Sequence, residues 1–353
     1  MGRAVAALAL VLALVLSGCG WMDGSYVSVT PHQVAVGQND SGNARAVRSY
    51  TELRSALVRL IDEGSTEGVF SLSDYPREEA EADMAEAVKY AMTVYPVGTY
   101  AVEDIQYGFG SGAISVEITY CRSREEIAGI HTVRRMEGAE QAIAEALDES
   151  TEKLVLQISG YRETDFTEIV RTYARSNPDR VMEMPSVDVR ICPEQGSVRI
   201  VEMIFRYSTD RQTLRSMREQ VQPVFSSAAL YVSGQAGEWV KFSQLHTFLT
   251  ERFDYQLRSS VTPAYSLLCQ GVGDSQAFAQ IYTAMCSRIG LNARSISGKR
   301  GGEEHWWNLV NIDGAWYHLD LLGEKQFMPL TDGQMTDYEW DRSAYPAATG
   351  AAE

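Results

Sequence analysis

Two stretches of this chain repeat one another in order and spacing, and that duplication is the strongest limit on what its first two thirds can fold into. The first copy reads TELRSALVRLIDEG, then GVFSLSDYPREEAEADMAEAVKYAMTVYP, then YAVEDIQYGFGSGAISVEITYCRSREEI. The second reads AEQAIAEALDES, then KLVLQISGYRETDFTEIVRTYARSNPD, then SVDVRICPEQGSVRIVEMIFRYSTDRQTL. Matching residues keep an offset of about 85, as in Tyr75 with Tyr161 and Ile118 with Ile204. In each copy a helical pattern precedes a short β-run ending in Tyr, and a second helical pattern follows. Two alternating strands then close the unit across a glycine-containing turn, GFGSGA or PEQGS. The expectation is an α-β-α-β-β unit used twice, over 47–130 and 131–215. Two unrelated amphipathic segments could resemble each other by chance, but five elements in the same order with small gaps argue for duplication.

These units offer little chemistry. Their carboxylates, in PREEAEAD and EALDESTE, fall on helix faces or in first turns, where acidic side chains complement the helix dipole. A solvated face explains them better than a metal site, so this half reads as a spacer or a binding platform.

The pattern changes over 216–353. FSQLHTFLTERFDYQ has the spacing of an amphipathic helix, with Phe242, Leu245, Phe248 and Leu249 on one side. A turn region containing Pro263 follows, then GVGDSQAFAQIYTAMCSRIGL, a turn that opens directly into a second helix. Next come a strand, NARSISG, a glycine-rich loop, KRGGEE, and two strands, HWWNLVNI and AWYHLDLL. Asp313-Gly314 between alternating apolar runs is a strong hairpin signal. The fold class expected for the whole is α+β.

The chain has 353 residues, of which 45% are apolar, enough for two domains with sizeable cores. Its formal charge of −16 argues against nucleic acid as a partner, because phosphate binding needs a basic face. An anionic membrane would repel such a body, so any membrane link must be hydrophobic or covalent. The N-terminus, MGRAVAALALVLALVLSGCG, supplies one: a single basic residue, Arg3, an apolar run from Ala4 to Leu16, and small residues before Cys19. The run is short for a membrane span and has signal-peptide form. Leu16-Ser17-Gly18-Cys19 resembles the bacterial lipobox, which implies removal of 1–18 and acylation of Cys19. Two or more acyl chains hold a protein stably where one is marginal. An ordinary signal peptide with an incidental cysteine is the plainer alternative. The expected location is extracytoplasmic, on a bacterial membrane, with the Ser/Gly/Asn/Gln-rich stretch to residue 46 as a tether. Cys121, Cys192, Cys269 and Cys286 remain, free to pair outside the cytoplasm in any of three ways. No CxxC or His–Cys spacing suits zinc, and no cofactor is expected.

The last 100 or so residues, from Phe242 to Tyr345, resemble the transglutaminase-like superfamily, whose catalytic domain is papain-like. In that family a loop ending Gly-Val-Cys opens a helix beginning Cys-x-x-Tyr/Phe-Ala. A strand pair reading His-x-Trp-Asn…Asp-Gly-x-Trp-Tyr-x-x-Asp then supplies His and Asp. Here His305-Trp306-Trp307-Asn308, Asp313-Gly314-Ala315-Trp316-Tyr317 and Asp320 fit without a gap. Even the tail, Phe327, Thr331-Asp332, Met335 and Tyr338-Glu339-Trp340-Asp341, looks like the family's terminal segment. Counting back from Gly290, with Phe278-Ala279 on the aromatic-Ala pair, puts Ser275 at the cysteine position. Counting forward from Tyr265-Ser266 through Gly271 and Gly273 lands on Ser275 again. The resemblance thus implies a site of Ser275, His305 and Asp320.

The exchange of thiol for hydroxyl matters. A helix N-terminus and an imidazolium can draw a thiol below neutrality and give a resting thiolate. A hydroxyl cannot form that ion pair and must lose its proton as it attacks. Asp274 beside it would oppose an anion. Both Asp274 and Ser275 are also good helix caps, and His305 with Asp320 could simply hold the hairpin. The tryptophans at 306, 307 and 316 suit a core or cleft wall. Cys269, in the preceding loop, is a candidate displaced nucleophile, and Cys286 a core thiol or its disulfide partner. Three functions follow: a non-catalytic module that binds a peptide or cell-envelope protein, an active hydrolase or acyl transferase acting on peptides or amides, or a function seated in the repeats.

Overall fold

The computed structural model describes residues 44–323 and 326–350. The expected anchor Cys19 and most of the tether lie outside them. The chain is α+β. Its first part is a duplicated α-β-α-β-β unit, with one short strand added at the head of each copy.

In the first copy β1 (Arg45–Ala46) precedes α1 (Tyr50–Asp62), β2 (Glu67–Ser71), α2 (Arg77–Thr93) and α3 (Pro96–Ala101). The hairpin β3 (Val102–Phe109) and β4 (Ala113–Tyr120) and a short α4 (Arg124–Ala128) complete it. The second copy repeats the scheme with β5 (His131–Val133), α5 (Met136–Asp148), β6 (Lys153–Ile158), α6 (Phe166–Ser176), β7 (Ser186–Cys192) and β8 (Arg199–Arg206). The sheets have one topology: β1-β2-β4-β3 in the first and β5-β6-β8-β7 in the second. In each, the added strand pairs parallel with its neighbour and the other pairs are antiparallel. Strands β4 and β8 start at Ala113 and Arg199, 86 residues apart. Tyr75 and Tyr161, matched in the sequence, are both buried.

One buried carboxylate joins the copies. Glu202, on β8, is 6% exposed and accepts a hydrogen bond from Tyr100 Oη of α3 at 3.1 Å. It also pairs with Arg122 at 2.8 Å and Lys153 at 3.0 Å. A buried carboxylate is tolerable only when so many donors meet it, and losing one partner is costly.

The long helix α7 (Arg211–Tyr231) is capped by Asp210 and leads out of the second copy; residue 216, the expected boundary, falls inside it. Its Leu214, Val221, Phe225 and Ala228 enter the core of the C-terminal part. That core collects α8 (Glu238–Thr250), α9 (Pro263–Gln270) and α10 (Ser275–Arg288), with the two-residue strands β9 (Asp254–Tyr255) and β10 (Val272–Gly273) between them. The apolar side of α8 is Phe242, Leu245, Phe248 and Leu249, the set its spacing indicated.

The final sheet is antiparallel, in the order β13 (Ala315–Leu319), β12 (Glu303–Ile312), β11 (Ala293–Arg300) and β14 (Tyr338–Glu339). Asp313 and Gly314 turn β12 into β13 with φ of 51° and 88°, the left-handed pair a tight two-residue hairpin needs. KRGGEE is not the loop the sequence suggested. Gly301 and Gly302, at φ of 60° and 86°, form a second two-residue turn, so β11 continues through Lys299 and Arg300. That extension carries Arg300 to the functional residues.

Candidate functional site

Helix α10 is started with care. Gly271 ends α9 in the left-handed region at φ 87°, and the chain then runs extended through β10, which pairs with β9. Asp274 is the N-cap: its Oδ1 accepts from Ala277 N at 2.9 Å. Ser275 is the first helical residue and is 9% exposed. Of the two cap candidates, therefore, only Asp274 caps, and its carboxylate is occupied in doing so.

Ser275 Oγ instead accepts the backbone N–H of Trp306 at 3.2 Å. Strand register explains why that amide is available. The tight turn makes Ile312 and Ala315 a bonded pair, so alternate residues back along β12 turn their backbone groups toward β13. Asn308 meets Leu319, where β13 ends, and the next amide in the series, Trp306 N–H, has no strand to bond. The serine hydroxyl takes the place of the missing carbonyl.

His305 and Asp320 lie beside this point. His305 Nε2 is 2.8 Å from Asp320 Oδ2, and the residues are 9% and 8% exposed. The same Oδ2 accepts from Arg300 Nη1 at 3.0 Å and Tyr338 Oη at 2.7 Å, while Oδ1 accepts from Leu322 N at 2.9 Å. Burial works against ionisation of Asp320, but the bonds and charge of His305, with Tyr338 and the Leu322 amide, outweigh it and hold the carboxyl below its ordinary range. Burial, with the facing carboxylate, pushes the Tyr338 hydroxyl up. An ionised Asp320 holds a proton on His305 Nε2, so that Nδ1 is the ring's acceptor whenever the ring is neutral. No hydrogen bond joins Ser275 to that ring; the serine's bond comes from Trp306.

A second histidine lies behind. His318, 1% exposed, receives the Trp307 indole N–H on Nδ1 at 3.0 Å and lies 2.8 Å from Asp332 through Nε2. Trp307 is fully buried and packs against His305, Tyr338 and Trp340. Trp316, 6% exposed, belongs to the same core. Beside His305 opens a cleft of about 270 Å³, bordered by Tyr255, Leu257, Arg300, Glu303, Glu304 and Leu322.

The cysteines stand apart from this cluster. Cys121, Cys192, Cys269 and Cys286 are all free thiols, so the Cys269–Cys286 disulfide considered above is not formed. Cys269 lies near the C-terminal end of α9, where burial pushes its thiol up rather than down. Cys286 is a core thiol, pushed well up by its complete burial. Neither has the surroundings of an activated nucleophile. Among the described residues no group of His, Cys, Asp and Glu is placed to hold a metal ion, and no helix is long and apolar enough to cross a membrane.

The sequence marks neither Arg300 nor His318 as a site residue, and marks Tyr338 only as part of a terminal segment. Arg300 falls in a stretch that reads as a loop, and its role depends on how far β11 runs. Tyr338 sits in a tail whose pattern gives no contact, and the only signal for His318 is its buried position in a strand.

Residues 227–321 match the transglutaminase-like superfamily. No curated protein is similar enough in sequence to count as a relative. Among solved structures, one described as a TGase aligns with a TM-score of 0.28 at 10% identity, over 57% of this chain and 61% of its own. A putative cysteine protease from Cytophaga hutchinsonii aligns with a TM-score of 0.27 at 11% identity, over 44% of this chain and 73% of its own. A putative protease from Parabacteroides distasonis gives 0.24 at 8%, over 47% of this chain and 39% of its own. The chain thus spans less than two thirds of the length of the first and third of these.

Proposed function

The C-terminal region holds a transglutaminase-like domain, and from that premise we propose that the protein is an extracytoplasmic lipoprotein, held to the bacterial membrane through Cys19, whose domain binds a peptide or cell-envelope protein without catalysing a reaction on it. The observation that carries this reading is the partner of Ser275. Its hydroxyl completes a backbone ladder by accepting from Trp306 N–H, and it is not bonded to the one base beside it, His305. A hydroxyl must surrender its proton to a base as it attacks, whereas a thiol at this helix terminus could rest as thiolate. Asp320 adds to the argument, because its charge is shared among His305, Arg300 and Tyr338 rather than reserved for an imidazolium.

The test is labelling of the purified ectodomain with a serine-reactive fluorophosphonate, with Ser275→Ala as control. Labelling that vanishes in the variant would sink the non-catalytic reading. One observation favours the second reading, an active peptidase, amidase or acyl transferase: the 2.8 Å His305–Asp320 bond is the orientation a general base requires. Anchoring is tested by Cys19→Ser, which is expected to move the protein from the membrane to the soluble fraction and abolish incorporation of labelled palmitate.

A further inference from the structure

The second repeat reaches the Ser275 site. Helix α6 packs against α10, and its penultimate residue, Arg175, lays its guanidinium over the Trp306 ring, 5.1 Å from the centroid. Trp306 is the residue whose amide holds Ser275 Oγ. Arg175 Nε is buried and has no hydrogen-bond partner. Burial disfavours its charged form, Arg171 repels it, and Glu168 and the Tyr345 phenol act in the opposite sense. Glu168 does not neutralise it, being held by Arg171 and by Thr172 Oγ1 at 3.1 Å.

A guanidinium stacked on an indole keeps its edge donors in plane, where a carboxylate can be met by two parallel hydrogen bonds. The other charges at the site make this cation count. Asp274, Asp320, Glu303 and Glu304 lie on or near it, and Arg300, at the cleft border, gives its Nη1 to Asp320 at 3.0 Å. A ligand bearing negative charge would meet these carboxylates with Arg300, at the cleft border, and Arg175, over Trp306, as the cations that offset them. We infer that Arg175 is the anion-recognising residue of the Ser275 site, so that the second repeat completes the site and the ligand carries a carboxylate next to the group that meets Ser275. This rests on the reading of that site as a ligand-binding cleft and narrows its ligand class. A plain stacking role, stapling the repeat to the domain, is the competing account.

The test puts a reactive probe at the site. In the full ectodomain carrying Ser275→Cys, the introduced thiolate displaces iodide from iodoacetate or from iodoacetamide, forming a thioether and releasing iodide in both cases. The reagents differ chiefly in the carboxylate, and peptide mass spectrometry separates this thiol from Cys121, Cys192, Cys269 and Cys286. Adding Arg175→Gln is expected to lower the iodoacetate-to-iodoacetamide rate ratio about tenfold, the order expected for one nearby charge partly screened by solvent, with the iodoacetamide rate unchanged. Adding Arg175→Lys should restore most of the ratio. An unchanged ratio in Arg175→Gln overturns the inference, as does a loss of thermal stability with the ratio intact, which would mark Arg175 as a staple. If Arg175→Gln does not fold, the ratio is measured in the arginine-bearing protein from low to high salt, and a flat response also overturns it. These rates are independent of the fluorophosphonate result, so the failure of one reading is not mistaken for the failure of the other.

Discussion

Trp307 donates its indole N–H to His318 Nδ1 at 3.0 Å, across adjacent strands of the C-terminal sheet. Because Nδ1 accepts, the His318 proton is on Nε2, 2.8 Å from Asp332 Oδ1. The neutral ring thus has both nitrogens satisfied in the core directly behind His305. A phenylalanine at 307 would keep the apolar packing but leave Nδ1 buried and unpaired. Trp307→Phe is expected to cost about 2–4 kcal/mol, combining an unsatisfied acceptor with lost volume. Urea denaturation at neutral pH checks it.

Acid should destabilise the protein in two steps. Burial depresses His318 and His246 below the ordinary value of 6.5. The unfolded chain therefore binds these protons first, and their contribution is lost as pH falls from about 6.5 through the folded values. Asp320 is depressed below 3.8, so its contribution is present above that value and is lost only at lower pH. Urea midpoints should fall gently between pH 7 and 5 and steeply below pH 4. In His318→Gln the upper step should shrink, and an unchanged upper step would refute this assignment.

Ser275 is expected to matter for stability through its bond to the Trp306 amide. Ser275→Ala removes the acceptor for the Trp306 amide in a site 9% exposed, which costs about 1–3 kcal/mol. The neighbouring cap provides a scale, since Asp274→Ala should cost about 1 kcal/mol through loss of the bond to Ala277 N. A Ser275→Ala cost well below that of the cap would contradict the structural role assigned to the hydroxyl.

The sequence carried the α+β class, the duplicated unit and the hairpin at Asp313-Gly314, because alternation and turn chemistry are local. What it lacked is set by where elements stop. Apolar alternation continues through Leu319, Asp320 and Leu321, so nothing local marks the end of β13 that frees the Trp306 amide for Ser275. Arg300 was hidden for the opposite reason: two consecutive glycines read as a loop, yet both adopt the φ of a tight turn and lengthen the sheet. Arg175 belongs to a helix that carries no mark of the domain it meets, and only the packing of α6 on α10 brings it to Trp306.

The joints between the three parts of the described chain are short. Gly129-Ile130 is all that separates α4 from β5, and Tyr207–Asp210 all that separates β8 from α7. Glu202 ties the first joint through Tyr100 and Arg122 of the first copy, and α7 passes straight into the C-terminal core. The parts are therefore coupled in series with almost no slack. A pull at Arg45 would be passed along this series, through α7, toward the C-terminal core instead of being taken up by a long linker between the parts.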